Sequence, residues 1–251
     1  MLGLLAINCD VPILANEAQQ STPLLTTQDL IAIAETQRAY RPKDAFDFAP
    51  NVSVISNRFV VELPVKMAGA AAFETQCDGF PFWSYTATSS DAGSLMVHYT
   101  GGGTVVGSRY FTTVPVMCTE RVGSSYVVQN AFGVKTRIER RYQVSTMLVS
   151  VRPVLAPPLD ALLFATVDVS PADARTLTPN LFLRVEGELL KWPDSSFVKC
   201  GVEKTAVDMR TIWDVTTELC SFRTYVQRVS LVDRRSAKIL AEKSFAERPE
   251  D

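Results

Sequence analysis

The pattern of apolar and polar residues from residue 52 onward is typical of β-strands. Short stretches rich in Val, Thr, Tyr and Phe are separated by Gly, Pro, Asn and Asp, and in several of them apolar and polar residues alternate. Because these stretches follow one another without helical repeats between them, the pattern favours a mainly β fold, an antiparallel β-sandwich or barrel-like domain. The predicted strands are residues 58–65, 82–87, 94–100, 104–114, 125–128, 136–151, 162–169, 180–190, 197–202, 211–217, 221–231 and 238–245.

Two features of the strand pattern give finer predictions. In residues 136–151 the apolar positions change phase between Val144 and Met147, which indicates either a β-bulge or two strands joined end to end. Near the C-terminus, the polar stretch 233–236 separates two partly alternating strands. This arrangement predicts a hairpin in which the last two strands pair.

Two segments have helical patterns. Residues 28–40 are amphipathic, Thr27 precedes them as a possible N-cap, and Pro42 prevents the helix from continuing. Residues 170–176 begin with a serine that can cap a helix and a proline that suits its first turn. The sequence therefore predicts an N-terminal α-helix and one short internal helix.

The chain divides into three predicted regions. Residues 1–18 are expected to be a signal-peptide remnant or an apolar arm packed on the domain; the first positive charge is Arg38, so the basic region of a secretory signal is missing. Residues 19–44 are predicted to be a linker and the N-terminal helix, and residues 45–248 the β-rich domain. Three prolines within residues 153–158 cannot occupy a central strand, so this stretch is the predicted boundary if the β-rich domain has two subdomains.

Composition excludes several classes of protein. Hydrophobic residues make up 47% and charged residues 21%, with a formal net charge of −2, and the mean hydropathy is +0.08. These values suit a globular domain, and no apolar run reaches the roughly 18 residues of a membrane span. A nearly neutral chain does not predict a nucleic-acid partner. The arginine pairs at 140–141 and 234–235 are interpreted as solubilising or edge-protecting residues.

The cysteines indicate a compartment. When Cys9 is set aside with the N-terminal segment, Cys77, Cys118, Cys200 and Cys220 remain, an even number without C-x-x-C spacing. Three pairings are possible, and the one that joins sequence neighbours is Cys77–Cys118 with Cys200–Cys220. Disulfides of this kind predict a periplasmic or extracellular protein; if the four are free, buried thiols, the protein is cytoplasmic.

The stretch around the only histidine is the one candidate for catalysis. His98 is followed by Gly101, Gly102 and Gly103, and a histidine with three glycines resembles loops that place backbone N–H groups around an oxyanion in hydrolases. The G-x-S-x-G motif that accompanies such loops is absent. Since strand-like residues flank the glycines on both sides, a hairpin loop is the simpler interpretation.

Aromatic residues 80–85 give a candidate ligand site. Phe82, Trp83 and Tyr85 could form a surface on which a small ligand or glycan stacks, or they could fill the core beside a disulfide. No nucleotide-binding glycine motif, zinc spacing or calcium loop occurs in the sequence, so neither a cofactor nor a metal is expected.

The functional expectation follows from these observations together. The sequence favours an exported, periplasmic, non-catalytic β-domain that acts as an accessory or structural subunit of a bacterial envelope assembly. Its partners are expected to be proteins, which it would contact through sheet edges and the helix at residues 28–40. The alternatives are a hydrolase that uses His98 and a small-ligand or glycan-binding protein that uses residues 80–85.

Overall fold

The computed structural model describes residues 23–40, 56–67, 81–99, 102–106, 109–150, 162–204 and 213–245. Within these residues the chain forms two α-helices, α1 (Thr27–Ala39) and α2 (Pro171–Leu177), and a 3-10 turn at Thr178–Asn180. The strands are β1 (Arg58–Pro64), β2 (Lys66–Met67), β3 (Phe82–Ala87), β4 (Gly93–Tyr99), β5 (Gly102–Val106), β6 (Arg109–Gln129), β7 (Lys135–Ser150), β8 (Leu162–Asp168), β9 (Leu181–Leu189), β10 (Val198–Lys204), β11 (Trp213–Asp233) and β12 (Lys238–Ser244). The prediction of a mainly β chain with two helices is confirmed.

The strands form two sheets. The larger has eight strands, ordered β1-β9-β11-β7-β6-β5, with β10 and β12 also paired to β11; the smaller is β2-β3-β4-β8. The first half of β11 pairs with β7 and β10, and its second half with β9 and β12. Among the described strands only the β7–β11 and β2–β3 ladders are parallel, so the pairing is mainly antiparallel.

One hydrophobic cluster joins the two sheets and helix α1. Leu95 and Val97 from the smaller sheet belong to the same buried cluster as Phe59 and Phe222 from the larger sheet. Helix α1 adds Leu30 and other residues of its inner face. Burying a side chain of this size contributes about 1.5–3 kcal/mol, so this cluster is the main source of stability for the described part of the chain.

Helix α1 begins one residue earlier than predicted. The N-cap is Thr26, whose hydroxyl accepts from the Asp29 N–H at 3.3 Å while the Asp29 carboxylate accepts from the Thr26 N–H at 2.8 Å. The hydrogen bonds that the Asp29 carboxylate accepts from the Thr26 N–H and from the Thr26 hydroxyl lower the pKa of Asp29. The prediction of Thr27 as the N-cap is wrong. Only Thr26 is followed three residues later by an acidic residue, which the reciprocal hydrogen bonds of a capping box require. The Thr27 hydroxyl instead accepts from the Glu62 N–H at 3.1 Å.

The long strands are more continuous than predicted. The predicted strand 125–128 is part of the 21-residue strand β6, and the predicted strands 211–217 and 221–231 are one strand, β11. Strand β6 passes Gly123 with a register shift between Val122 and Ser125, so the glycine marks a bulge and not a strand end. A Cβ at Gly123 would lie 2.8 Å from the Tyr142 ring, so the glycine leaves room for that ring.

The phase change in the sequence of residues 136–151 does not interrupt the strand that they form. Strand β7 is continuous, and Ser145 and Thr146 are both buried although they are neighbours in sequence. Its ladder with β6 changes register between Pro115 and Met117, opposite this point. Strand β7 pairs with β11 without a register shift, so the extra residue lies on β6 and neither predicted alternative, a bulge or a junction within residues 136–151, describes β7.

The two other local predictions are confirmed. Helix α2 starts after Ser170, whose side chain accepts from the Asp173 N–H at 3.1 Å, and Pro171 occupies its first turn. Strands β11 and β12 form the predicted hairpin, and in its turn the Asp233 carboxylate accepts from the Arg235 N–H at 3.0 Å.

A disulfide links Cys200 to Cys220, as predicted, at directly opposed positions of β10 and β11. Cys118 is also disulfide-bonded, and its predicted partner, Cys77, lies outside the described residues. A disulfide fits an oxidising compartment. Of the described helices, none is long and apolar enough to span a bilayer.

The predicted N-terminal region and subdomain boundary, residues 1–18 and 153–158, lie outside the described residues. Strands from before and after that boundary pair in both sheets, as β1 with β9 and β4 with β8.

Candidate functional site

His98 lies on strand β4 in a small polar and aromatic cluster. Its Nε2 is 3.4 Å from the Ser84 hydroxyl on β3, and its ring stacks on Phe82 with the centroids 5.1 Å apart. Its Nδ1 is buried and has no hydrogen-bond partner among the described residues. The described geometry thus gives His98 one hydroxyl neighbour, and its catalytic role stays a prediction.

The glycine stretch after His98 is not a hairpin loop, so that interpretation is wrong. Gly102 and Gly103 are strand residues of β5 and pair with Thr113 and Thr112 in the larger sheet. His98 belongs to the smaller sheet, so the strand-like residues on the two sides of the glycines are not partners of each other. Gly101 lies outside the described residues.

The predicted aromatic surface is divided between the two faces of strand β3. Trp83 and Tyr85 are half-buried and pack against the hydrophobic core, and the Tyr85 hydroxyl donates to the Val169 carbonyl at 3.1 Å. Phe82 stacks on His98 instead. Alternation along a strand separates the three rings, so they do not share one face; Phe80 lies outside the described residues. Ligand binding by these residues stays a prediction.

Metal ligands are not clustered in the described ranges, where no group of three or more His, Cys, Asp or Glu side chains could hold an ion.

A two-stranded ribbon extends from the larger sheet. We call residues 119–142, the outer parts of β6 and β7 with their connecting turn, the ribbon. Strand β11 begins to pair with β7 at Trp213, opposite Glu139. Farther out, the two strands of the ribbon pair only with each other among the described strands. Among the described strands, the outer edges of both ribbon strands therefore have no further partner.

The turn at the end of the ribbon is tightly built. The Asn130 side-chain oxygen accepts from the N–H groups of Phe132 at 3.0 Å and Val134 at 2.9 Å. Gly133 has a φ of +83°, which glycine adopts at low cost, and its N–H donates to the Asn130 carbonyl. This turn fixes the Phe132 backbone at the apex, where the side chain is 92% exposed.

Further apolar side chains are exposed along the ribbon. Val127 is 62% exposed on one face, and Val128, its neighbour in sequence, is exposed on the other. The exposed apolar residues of the ribbon are Val122, Val127, Val128, Phe132 and Val134, with Tyr142 at its foot. These side chains lie on both faces and at the apex of one projecting ribbon, which makes the ribbon a candidate interaction site.

A tyrosine on one face attaches the ribbon to β11. The Tyr126 hydroxyl donates to the Asp214 carboxylate at 3.3 Å, and the Arg140 guanidinium lies 4.8 Å from the Tyr126 ring centre and 3.8 Å from that carboxylate. Desolvation, together with the Asp214 charge, raises the pKa of Tyr126, so the hydroxyl keeps the proton that it donates. These contacts orient the ribbon relative to the sheet.

An arginine network stabilises the opposite face. Arg141 contacts the Glu120 and Glu139 carboxylates at 2.9 Å and 2.8 Å, and its guanidinium lies 4.5 Å from the Trp213 ring. Gln143 donates to the second Glu120 oxygen at 2.8 Å. The Arg141 and Glu120 side chains are only 13% and 11% exposed, so removing either one leaves a largely buried charge without its partner. Such a network fixes geometry more than it adds stability.

A shallow groove lies at the foot of the ribbon. Its volume is about 380 Å³, and its walls come from β6, β7 and β11. The lining residues are Thr119, Glu120, Arg121, Tyr142, Gln143, Val144, Thr216 and Glu218. Because Arg121 and Tyr142 belong to the ribbon, the groove continues its exposed surface onto the body of the sheet.

Sequence reasoning missed this site. Residues 125–128 were expected to be an ordinary strand, because Val127 and Val128 look the same in a sequence whether a core covers them or not. The one available signal is the run from Asn130 to Gly133, a turn sequence that carries a phenylalanine. The chain matches no protein-family model, no curated protein and no solved structure.

Proposed function

We propose that this chain is a non-catalytic binding subunit that joins a bacterial envelope assembly by protein–protein contact through the ribbon. The disulfide Cys200–Cys220 supports a location in the periplasm or outside the cell, where such bonds persist. The body of the protein, for which we retain the β-sandwich or barrel-like prediction, supplies the rigid base from which the ribbon extends.

The exposure of Phe132 carries this proposal. Burying a phenylalanine side chain contributes about 1.5–3 kcal/mol of favourable free energy. Because Phe132 is 92% exposed in the free chain, most of this free energy is left for a partner that covers the ring. Since the Asn130 turn fixes the backbone at Phe132, binding to a partner would order the phenylalanine side chain without the cost of ordering the turn. Aromatic side chains in such positions often contribute most of the binding energy of an interface.

The edge of strand β6 supports the same function. Strand β5 pairs with β6 only as far as Thr113, so the outer edge of residues 114–129 has no strand partner among the described strands. Unpaired backbone N–H and C=O groups on an edge can hydrogen-bond to an added strand of another chain. The predicted use of helix α1 as a contact stays a prediction.

Replacing Phe132 with serine is expected to release the chain from its assembly without unfolding it. The native size of the chain, extracted from the envelope of its own host and measured by sedimentation, should fall to that of the free chain. The reason is that the substitution removes the exposed ring while the Asn130 turn remains intact.

Ile239→Ser is the matched control, because Ile239 is an exposed apolar residue on β12, outside the ribbon. It should sediment with the wild-type assembly. A Phe132→Ser chain that sediments with the full assembly would show that the ribbon is not the contact.

A further inference from the structure

The ribbon carries positive charge that its own carboxylates do not neutralise. Residues 119–142 contain five Lys and Arg side chains and two carboxylates, Glu120 and Glu139. Both carboxylates bind Arg141. The remaining acidic contact, from Asp214 on β11, goes to Arg140. Arg140, Arg141 and the two carboxylates of the ribbon are therefore paired with opposite charges.

Three outward-facing cations are left. No carboxylate of the described residues lies within ion-pair distance of Arg121, Lys135 or Arg137, all of which are exposed. The Arg121 guanidinium lies 5.3 Å from the Tyr142 ring centre, and Arg137 donates to the Ser125 hydroxyl at 2.6 Å. These contacts orient the side chains and leave their charge available to another molecule.

The cations alternate with the exposed apolar side chains. Val127 lies directly across the ladder from Arg137, and Val134 is next to Lys135 in sequence. The strand between Arg121 and Gln129 is about 26 Å long at 3.3 Å per residue. Arg121 lies opposite Tyr142, on the other face of the ribbon from Lys135 and Arg137, because side chains alternate along β7. A partner that meets all three cations must therefore contact both faces of the ribbon and offer apolar contacts and negative charges over about this length.

This alternation favours a protein surface over a lipid bilayer. Inserting the ribbon far enough to bury Val127 in lipid would bring Arg137 to the same depth, because the two face each other across the ladder. A guanidinium costs at least about 2.5–3.5 kcal/mol at the centre of a bilayer. A folded partner can instead place a carboxylate beside each cation and an apolar pocket around Phe132.

We propose that the ribbon binds an acidic protein surface, in which carboxylates pair with Arg121, Lys135 and Arg137 and an apolar pocket receives Phe132. This inference rests on the proposed function. Arginine forms paired hydrogen bonds with carboxylates, which gives the contact orientation as well as attraction. Opposite charges on the two surfaces also raise the rate of association and make it sensitive to salt.

The test reverses the three charges and follows the size of the assembly. We expect R121E/K135E/R137E to lower the assembled fraction of the full chain in extracts of its own host by about tenfold or more. The neutral variant R121Q/K135Q/R137Q should cause a smaller loss, and it keeps the test valid if the reversed chain folds poorly. The control R175E/K238E/K243E makes the same change of charge at exposed positions outside the ribbon and should assemble normally.

Salt and lipid give two further readouts. Raising salt from about 0.1 M to about 1 M shortens the screening length from about 10 Å to about 3 Å and should lower the assembled fraction of the wild type but leave the free chain folded. The purified chain should not sediment with vesicles of phosphatidylglycerol and phosphatidylcholine. Vesicle binding that Phe132→Ser abolishes would overturn the acidic-protein proposal in favour of a membrane.

The outcomes separate this inference from the proposed function. If Phe132→Ser disrupts the assembly and the charge-reversed and neutral variants both assemble normally, the acidic partner is wrong and the ribbon contact stands. If all the ribbon variants assemble normally, both proposals are wrong. If the ribbon variants fail and R175E/K238E/K243E assembles, both are supported.

Discussion

Replacing Gly187 with alanine is expected to destabilise the fold by about 3 kcal/mol or more. Gly187 lies on β9 in the middle of the larger sheet, opposite an irregularity in β11 between Val226 and Arg228. A Cβ at Gly187 would lie 2.2 Å from the Tyr225 carbonyl oxygen, far closer than van der Waals contact. Because the obstacle is backbone of the neighbouring strand, relief requires that β9 and β11 move apart.

Urea denaturation of the wild type and Gly187→Ala measures this loss directly. Gly201→Ala is the matched control, since Gly201 is also a strand glycine but has no atom within 4 Å of the position that its Cβ would take. The control should change the free energy of unfolding by no more than about 0.5 kcal/mol. Equal changes in the free energy of unfolding for the two substitutions would show that the backbones of β9 and β11 do not approach each other closely at Gly187.

Removing the Cys200–Cys220 disulfide with the double variant C200A/C220A should cost about 3 kcal/mol of stability, the value that the chain-entropy model gives for a loop of this size. The bond closes a loop between residues 20 apart and joins β10 to β11 at directly opposed positions. Strand β10 pairs with β11 alone among the described strands, so it should lose hydrogen-exchange protection before the rest of the sheet.

Denaturant titration of the oxidised wild type and of C200A/C220A gives the change in free energy of unfolding, and amide exchange locates it. The variant is preferred to a reducing agent because Cys118 is also disulfide-bonded. A change below about 1 kcal/mol, with β10 still protected, would show that hydrogen bonds and packing hold β10 without the crosslink.

Local signals predicted the local structure well. Residues 82–87 form a strand with the predicted bounds, and Ser170 caps the short internal helix as expected. The cause is that alternation and capping depend on residues within one element. The error at the cap of α1 arose because Thr26 and Thr27 are adjacent threonines and only the reciprocal contact with Asp29 distinguishes them.

Longer-range features could not be read from the sequence. Gly123 resembles a strand end, yet it sits in a bulge of β6 because a partner strand continues past it. The parallel pairing of β7 with β11 joins segments far apart in the chain, and neither segment specifies the other. For the same reason the ribbon was missed, since exposure of Val127 depends on which strands lie beside it and not on its own sequence.

The most direct test of the ribbon contact places a photo-crosslinking phenylalanine derivative at residue 132 of the full chain in its own host. Illumination should join residue 132 to one partner protein, at a peptide rich in Asp and Glu, and the same derivative at residue 239 should give no such product. Mass spectrometry identifies the joined peptide. Equal crosslinking from both positions, or none from residue 132 in an intact assembly, would contradict the proposal that the ribbon and its exposed Phe132 bind the partner.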